Sequence, residues 1–202
     1  MTSTNSQFAT DEVGSDIDYE KAQRGVRLLL EAVGEDLDSD ALAETWQRRV
    51  PDTFATLTEG QREVAKPTMR IFDAETTDLI VETGIPAYSL CEHHLLPFLG
   101  TVHITFRPTD EVVGLSKLTR YVRWQSHQLT MQEQLTNDIP SRLKEELDAA
   151  TVFVEVNARH PCETMHGVET ESTTTTRATA GEPTAAERER FQAAVKGTEG
   201  QP

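Results

Sequence analysis

The chain predicts an α+β fold, with helices and strands in separate blocks rather than in regular alternation. Three observations carry that expectation. Apolar residues recur at helical spacing from Asp18 to Gly34. Thr101 to Arg107 and Val152 to Val156 alternate with period two, and a long helical stretch lies between them. At 202 residues, 37% of them hydrophobic, the chain suffices for one domain with helical additions and frayed ends.

In chain order, residues 1–16 are rich in Ser, Thr, Asn and Asp and read as a disordered acidic leader. An N-terminal helical region is expected over 17–66. There Tyr19, Ala22, Val26, Leu29, Leu30 and Val33 form one stripe, and Gly34 supplies a stop. A second helix is predicted from Ser39 to Arg49 with Pro51 marking its end, and a short third one at Ala55 to Leu57. The main domain follows over 67–197. Its first strand covers Leu79 to Ser89, interrupted by Gly84 and Pro86. In the next, Val102, Ile104 and Phe106 face one way, and Thr101, His103, Thr105 and Arg107 the other. Ser116 to Glu146 reads as helix, broken or kinked at Pro140. Val152, Val154 and Val156 mark another strand, and the threonine-dense Val168 to Thr179 a further one. Ala185 to Val195 closes the fold as a helix, and 198–202 are tail.

The net charge of -15 comes with only five lysines against fourteen arginines. So acidic a chain lacks the basic footprint that nucleic acid requires. It suits concentrated salt, where self-repulsion is screened, and a halophilic source is the expectation. The N-terminus has no apolar core of a signal peptide, and no run of eighteen apolar residues occurs. A cytoplasmic protein with reduced thiols and no membrane partner is expected.

The chemistry gathers around the only two cysteines. One lies in Cys91-Glu-His-His94 and the other in His160-Pro-Cys162, with His166 just beyond. Zinc takes thiolate and imidazole donors. Two ligands close in sequence and one distant suggest three protein ligands with an open fourth position, the catalytic pattern. A disulfide between Cys91 and Cys162, or two inert buried thiols, are the simpler alternatives. If Cys91 and His94 are ligands, His93 projects elsewhere and stays free for proton transfer. On a strand, His160 and Cys162 would line one cavity. His103 and His127 have no such company and read as packing residues.

A second group is basic. Ser116 is a candidate N-cap, followed by Lys117, Arg120 and Arg123, and a helix N-terminus with these cations attracts anions. A solvated helix face is the plainer reading for any one such pair. In a third group, Gln132 and Glu133 sit on a helical pattern without a charge partner. A buried carboxylate there would suit the donor edge of guanine, although a glutamate on a helix is usually just wet.

Together these stretches resemble the zinc-dependent GTP cyclohydrolase I family. Ser89-Leu-Cys-Glu-His-His-Leu-Leu-Pro-Phe-Leu-Gly100 is similar to its most diagnostic motif, and Gly114-Leu-Ser-Lys-Leu-Thr-Arg120 to its triphosphate segment. Gln132-Glu-Gln-Leu-Thr136 is similar to its base-recognition helix, and His160-Pro-Cys162 to its second metal motif. The likeness spans roughly Tyr19 to Val195. It implies a tunnel fold over 67–197, an antiparallel sheet with packed helices that closes into a barrel on oligomerisation. It implies one zinc per subunit, on Cys91, His94 and Cys162, with His93 and His160 as acid–base histidines. Ser116, Lys117 and Arg120 would hold the triphosphate, and Gln132 with Glu133 would read guanine. The implied substrates are GTP and water: the purine imidazole ring opens, carbon 8 leaves as formate, and rearrangement and reclosure give 7,8-dihydroneopterin triphosphate. The implied assembly is a decamer of two pentamers with active sites shared between subunits.

The chain departs from that pattern in places. Four residues beyond Cys162, where the family usually has an arginine on the triphosphate, stands His166, a substrate-binding candidate that cannot make the same bidentate contact. A cyclic phosphate product is the alternative this leaves. Two other classes compete: a tunnel-fold nitrile reductase, which needs a nucleophilic cysteine and no zinc, and a non-enzymatic module with structural zinc. The paired Cys–His motifs weigh against the first, and the spare histidines against the second.

Overall fold

The computed structural model describes residues 17–73 and 78–198; the expected leader lies outside them, as does all of the expected tail but Thr198. Helix α1 covers Tyr19–Ala32, opened by Asp18, whose carboxylate accepts from the Lys21 amide at 2.8 Å. Gly34 ends it in the left-handed region at φ +87°.

Pro51 does not end the second helix. Helix α2 (Asp40–Glu44) continues through a π-helical turn at Thr45–Arg49 into α3 (Val50–Leu57), and Pro51 occupies the first turn of α3. A proline there lacks an N–H that the first turn does not need. The turn before it is π-helical, with the Val50 amide donating to the Thr45 carbonyl, and the Gln47 carbonyl of that turn takes a side-chain partner. The Gln23 side-chain amide of α1 donates to that carbonyl at 2.7 Å.

Beyond two 3₁₀ turns come β1 (Ile71–Asp73), β2 (Ile80–Cys91), β3 (Pro97–Arg107) and β4 (Glu111–Val113). Then follow α4 (Leu115–Ser126), β5 (Leu129–Thr130), α5 (Gln132–Glu146) and β6 (Thr151–Arg159). A short α6 (Pro161–Thr164), β7 (Thr174–Gly181) and α7 (Ala185–Thr198) complete the order. The expected helix over Ser116 to Glu146 is therefore two helices. They part at β5, which pairs in parallel with the end of β2, a long-range contact that periodicity does not reveal. Pro140 is buried inside α5 and does not end it. The expected strand over Val168 to Thr179 begins only at Thr174, because Gly167 and Glu169 both adopt positive φ in a turn.

The main sheet runs β5-β2-β3-β6-β7, antiparallel except at β5, and β1 pairs with β4 apart from it. Gly84 at φ +74° falls where the β2–β3 register shifts, so β2 bends there rather than stopping. One sheet face carries Val102, Ile104 and Phe106 with Val152, Val154 and Val156, all packed with Leu118, Val122, Ile139 and Leu143 of α4 and α5. This is the core that the period-two and helical patterns foretell. On the opposite face α7 seats Phe191 and Val195 on Phe153.

Two features hold this frame. At Gly100, β3 lies so close to β6 that an added Cβ would overlap the Asn157 carbonyl and come within 2.7 Å of the Ala158 Cβ. Gly100→Ala is expected to cost about 3 kcal/mol or more. A chemical-denaturation series on the two proteins checks this. Glu187 is the second: it accepts from the Thr184 amide at 2.6 Å and from Arg107 at 2.6 Å. The Thr184 amide, ahead of the Thr184 hydroxyl and Arg107, holds its carboxyl below the usual carboxylate range. The folded value is lowered, so this stabilisation is complete above the ordinary glutamate pKa and fades as pH falls through the depressed one. Glu187→Gln is expected to melt lower than wild type at neutral pH, with the gap closing in acid, as melting curves against pH will read.

Candidate active site

Cys91 is the last residue of β2 and is fixed from three sides. Its amide donates to the Leu96 carbonyl at 2.8 Å, closing the turn that carries His93 and His94. Its carbonyl accepts from Leu95 at 2.8 Å, and Leu95 takes φ +56° to complete the reversal. On the other side Cys91 pairs with Thr130 of β5. Because α5 starts two residues later, the same pairing brings Gln132 and Glu133 to this end of the sheet. The distant half arrives on β6, which pairs with β3 up to Arg159 opposite Leu99. The chain then turns into α6, with His160 as its N-cap and Cys162 in its first turn.

Here Cys91, His94 and Cys162 meet, with one donor atom from each lying within 4.8 Å of the others. The two Sγ atoms are 3.8 Å apart, and Cys91 Sγ is 3.9 Å from His94 Nδ1. Zinc bonds of about 2.3 Å to sulfur and about 2.0–2.1 Å to nitrogen place tetrahedral donors about 3.5–3.8 Å apart. The donor set and its spacing therefore fit a zinc-type ion. Both cysteines are free thiols, so they form no disulfide. Burial, and then the hydrogen bond to Cys91, hold the Cys162 thiol above its ordinary pKa. Metal uptake at neutral pH must therefore expel a proton, and acid weakens it.

A cleft of about 290 Å³ opens beside the cluster, at the lower end of the size range for ligand sites. His93 and His160 both line it, as do Gln132 and Glu133. The His160 ring stacks on buried Phe98, with centroids 5.0 Å apart and planes 22° apart. Phe98 was within the sequence motif but drew no role from it; a strand-borne aromatic reads as core until its neighbour is known. His93 is exposed, its Nε2 3.9 Å from Glu92.

Gln132 proves to be a structural link as well. Its buried amide nitrogen faces the Val156 carbonyl (3.0 Å), the Thr174 carbonyl (2.9 Å) and the Thr176 hydroxyl (3.0 Å). Its side-chain oxygen is buried without a partner among the described residues. Glu133, by contrast, is exposed rather than buried.

The basic group does not join this cleft. None of Ser116, Lys117 and Arg120 lines it. They sit in the first half of α4, whose far end leads to β5 and the cleft; twelve residues of helix span about 18 Å. Ser116 is not the cap: Gly114 is, and no side chain caps the helix. Its first turn also carries no acidic residue. His166 lies beside the Cys–His–Cys group, its ring edge-on to His94 at 5.9 Å between centroids. His127 is buried against Glu59 at 2.8 Å and His103 is buried in the sheet, both as packing residues.

An α+β fold with a three-donor Cys–His–Cys cluster that could hold a metal ion, beside a cleft lined by two further imidazoles, has the layout that a metal-assisted hydrolase needs. Comparison with known proteins narrows the class. The chain belongs to the GTP cyclohydrolase I family, whose profile matches residues 22–196. It is 43% identical over 153 residues to GTP cyclohydrolase 1 of Clostridium perfringens, covering 75% of this chain and 82% of that one. To the enzyme of the same name from Hyperthermus butylicus it is 42% identical over 166 residues, covering 82% and 84%. To that of Campylobacter jejuni it is 40% identical over 153 residues, covering 75% and 80%. Among solved structures, the apo archaeosine synthase QueF-Like overlaps 54% of this chain, and all of its own, at TM-score 0.42 and 14% identity.

Proposed function

We propose that this chain converts GTP and water to formate and 7,8-dihydroneopterin triphosphate, at a metal centre formed by Cys91, His94 and Cys162. The single observation that carries the reading is the meeting of those three donors at zinc-type spacing, beside a cleft that also holds His93 and His160. A zinc ion there would supply Lewis acidity, making water ionisable near neutral pH.

The chain's own residues do the rest. Stacking on Phe98 fixes the plane of His160, so its nitrogens address the cleft in a set direction. His93, on the turn after Cys91, has the freedom to exchange protons with solvent. The two imidazoles serve as proton carriers for ring opening and for loss of carbon 8 as formate, and again for the sugar rearrangement that precedes reclosure. Gln132 and Glu133 stand at the same cleft to read guanine. Of the two, Glu133 has its carboxylate free to accept from the base N–H groups, while the Gln132 nitrogen is engaged in the sheet.

The triphosphate belongs to Ser116, Lys117 and Arg120 on the uncapped start of α4. Within one chain that segment lies away from the cleft, which supports a site completed by a neighbouring subunit. Among the described residues the outer edge of β7 has no strand partner, as closure of a barrel by oligomerisation needs, and a decamer is the assembly proposed. The acidic surface suits work in concentrated salt inside the cytoplasm.

GTP labelled with ¹³C at carbon 8 tests the reaction in molar KCl. The label is expected in formate, with an unlabelled pterin triphosphate as co-product. Label retained in the purine product would overturn the reading, and a cyclic phosphate on the pterin would select the alternative product.

A further inference from the structure

We propose that His166 closes the metal site of the resting enzyme as a fourth, displaceable ligand, which the substrate expels on entry. The inference rests on the metal reading given above and assigns a further role to this chain's own loop.

The spacing of the donors comes first. Cys91-Glu-His-His94 and Cys162-Glu-Thr-Met-His166 are two short-spaced Cys–His pairs. Two such pairs make up the Cys₂His₂ donor set that closed zinc sites use. An arginine at this position could not serve, because a guanidinium has donors only and no lone pair to give.

The geometry comes second. His166 follows α6 directly, and the Met165 amide donates to the Pro161 carbonyl at 2.8 Å, so the helix that places Cys162 also sets where His166 emerges. The far end of the loop is pinned to the same helix, where the Ser172 hydroxyl donates to the Glu163 carboxylate at 2.9 Å. Between these anchors Gly167 turns the backbone at φ +78°. The result is an exposed imidazole set edge-on against His94, with centroids 5.9 Å and planes 69° apart. Its nitrogens stand outside the cluster formed by the other three donors. Closure therefore takes a rotation of an exposed side chain, a motion of picoseconds to nanoseconds. Of the other imidazoles near the cluster, His160 is stacked on Phe98 and the His93 Nε2 lies 3.9 Å from Glu92, so His166 is the one assigned to the open position.

Such a ligand would hold the metal while the cleft is empty and would give way to water and substrate. X-ray absorption on full-length, zinc-loaded protein tests it by counting imidazole rings around the metal. Two rings are expected in the wild type, falling to one when GTP is added. One ring is expected throughout in His166→Ala, with zinc lost to a chelator about 10–100-fold faster. His166→Arg is expected to show one ring as well, and keeps the test decidable should the alanine variant fail to fold. One ring in the wild type, with one zinc bound and two sulfur neighbours, would overturn the inference and leave the metal reading intact. Absence of bound zinc, or zinc without sulfur neighbours, would overturn both.

Discussion

Replacing Cys162 with serine is expected to remove the metal and, with it, all detectable release of formate from GTP. Three protein donors hold the proposed ion, and each thiolate supplies both charge and a soft sulfur that serine cannot replace. Substitutions that merely disturb the partners of metal ligands cost about 10–100-fold in metal affinity. Loss of one of these three permanent ligands, unlike that of a displaceable one, is expected to exceed that range. The fold has no comparable stake in this thiol, since Cys162 is only partly buried at the edge of the main core. The variant should therefore melt close to the metal-free wild type while binding zinc far more weakly. Metal content after dialysis, read with formate release, checks the prediction. Full activity in Cys162→Ser would remove the cluster from the chemistry.

The second large effect is expected at the two spare imidazoles. His160→Ala should lower kcat by about 10²–10⁴-fold, the usual worth of a positioned acid–base group, and leave zinc content unchanged. Cys162 is held by α6 and by its contact with Cys91, neither of which depends on the His160 ring. The Phe98 face would be uncovered, so a small loss of stability accompanies the kinetic one. His93→Ala is expected to fall in the same range with zinc again retained. Steady-state kinetics with metal analysis on the same samples separates the two roles. Loss of zinc in either variant would reassign that histidine to the metal.

The meeting of Cys91, His94 and Cys162 was legible in the sequence because thiols and imidazoles are rare here and fall at short, fixed spacings. The sheet core was legible because Val102, Ile104 and Phe106 must share a face whatever their partners. Prolines misled, since their effect depends on distant groups. Pro51 sits in a helical run that passes through a π-helical turn, where Gln23 of another helix donates to the Gln47 carbonyl. The split between α4 and α5 rests on two residues pairing with the end of β2, and no local pattern records that. Gln132 was read only as a ligand residue, whereas its amide also ties α5 to β6 and β7. Lys117 and Arg120 lie away from the cleft, on α4, and motif spacing alone does not record that separation.

Titration of chelator-stripped protein with zinc, followed by formate released from GTP, tests the central claim most directly. Activity is expected to rise from nothing and to saturate at one zinc per chain. Formate from the metal-free protein, or one tightly bound zinc with no formate, would contradict the account.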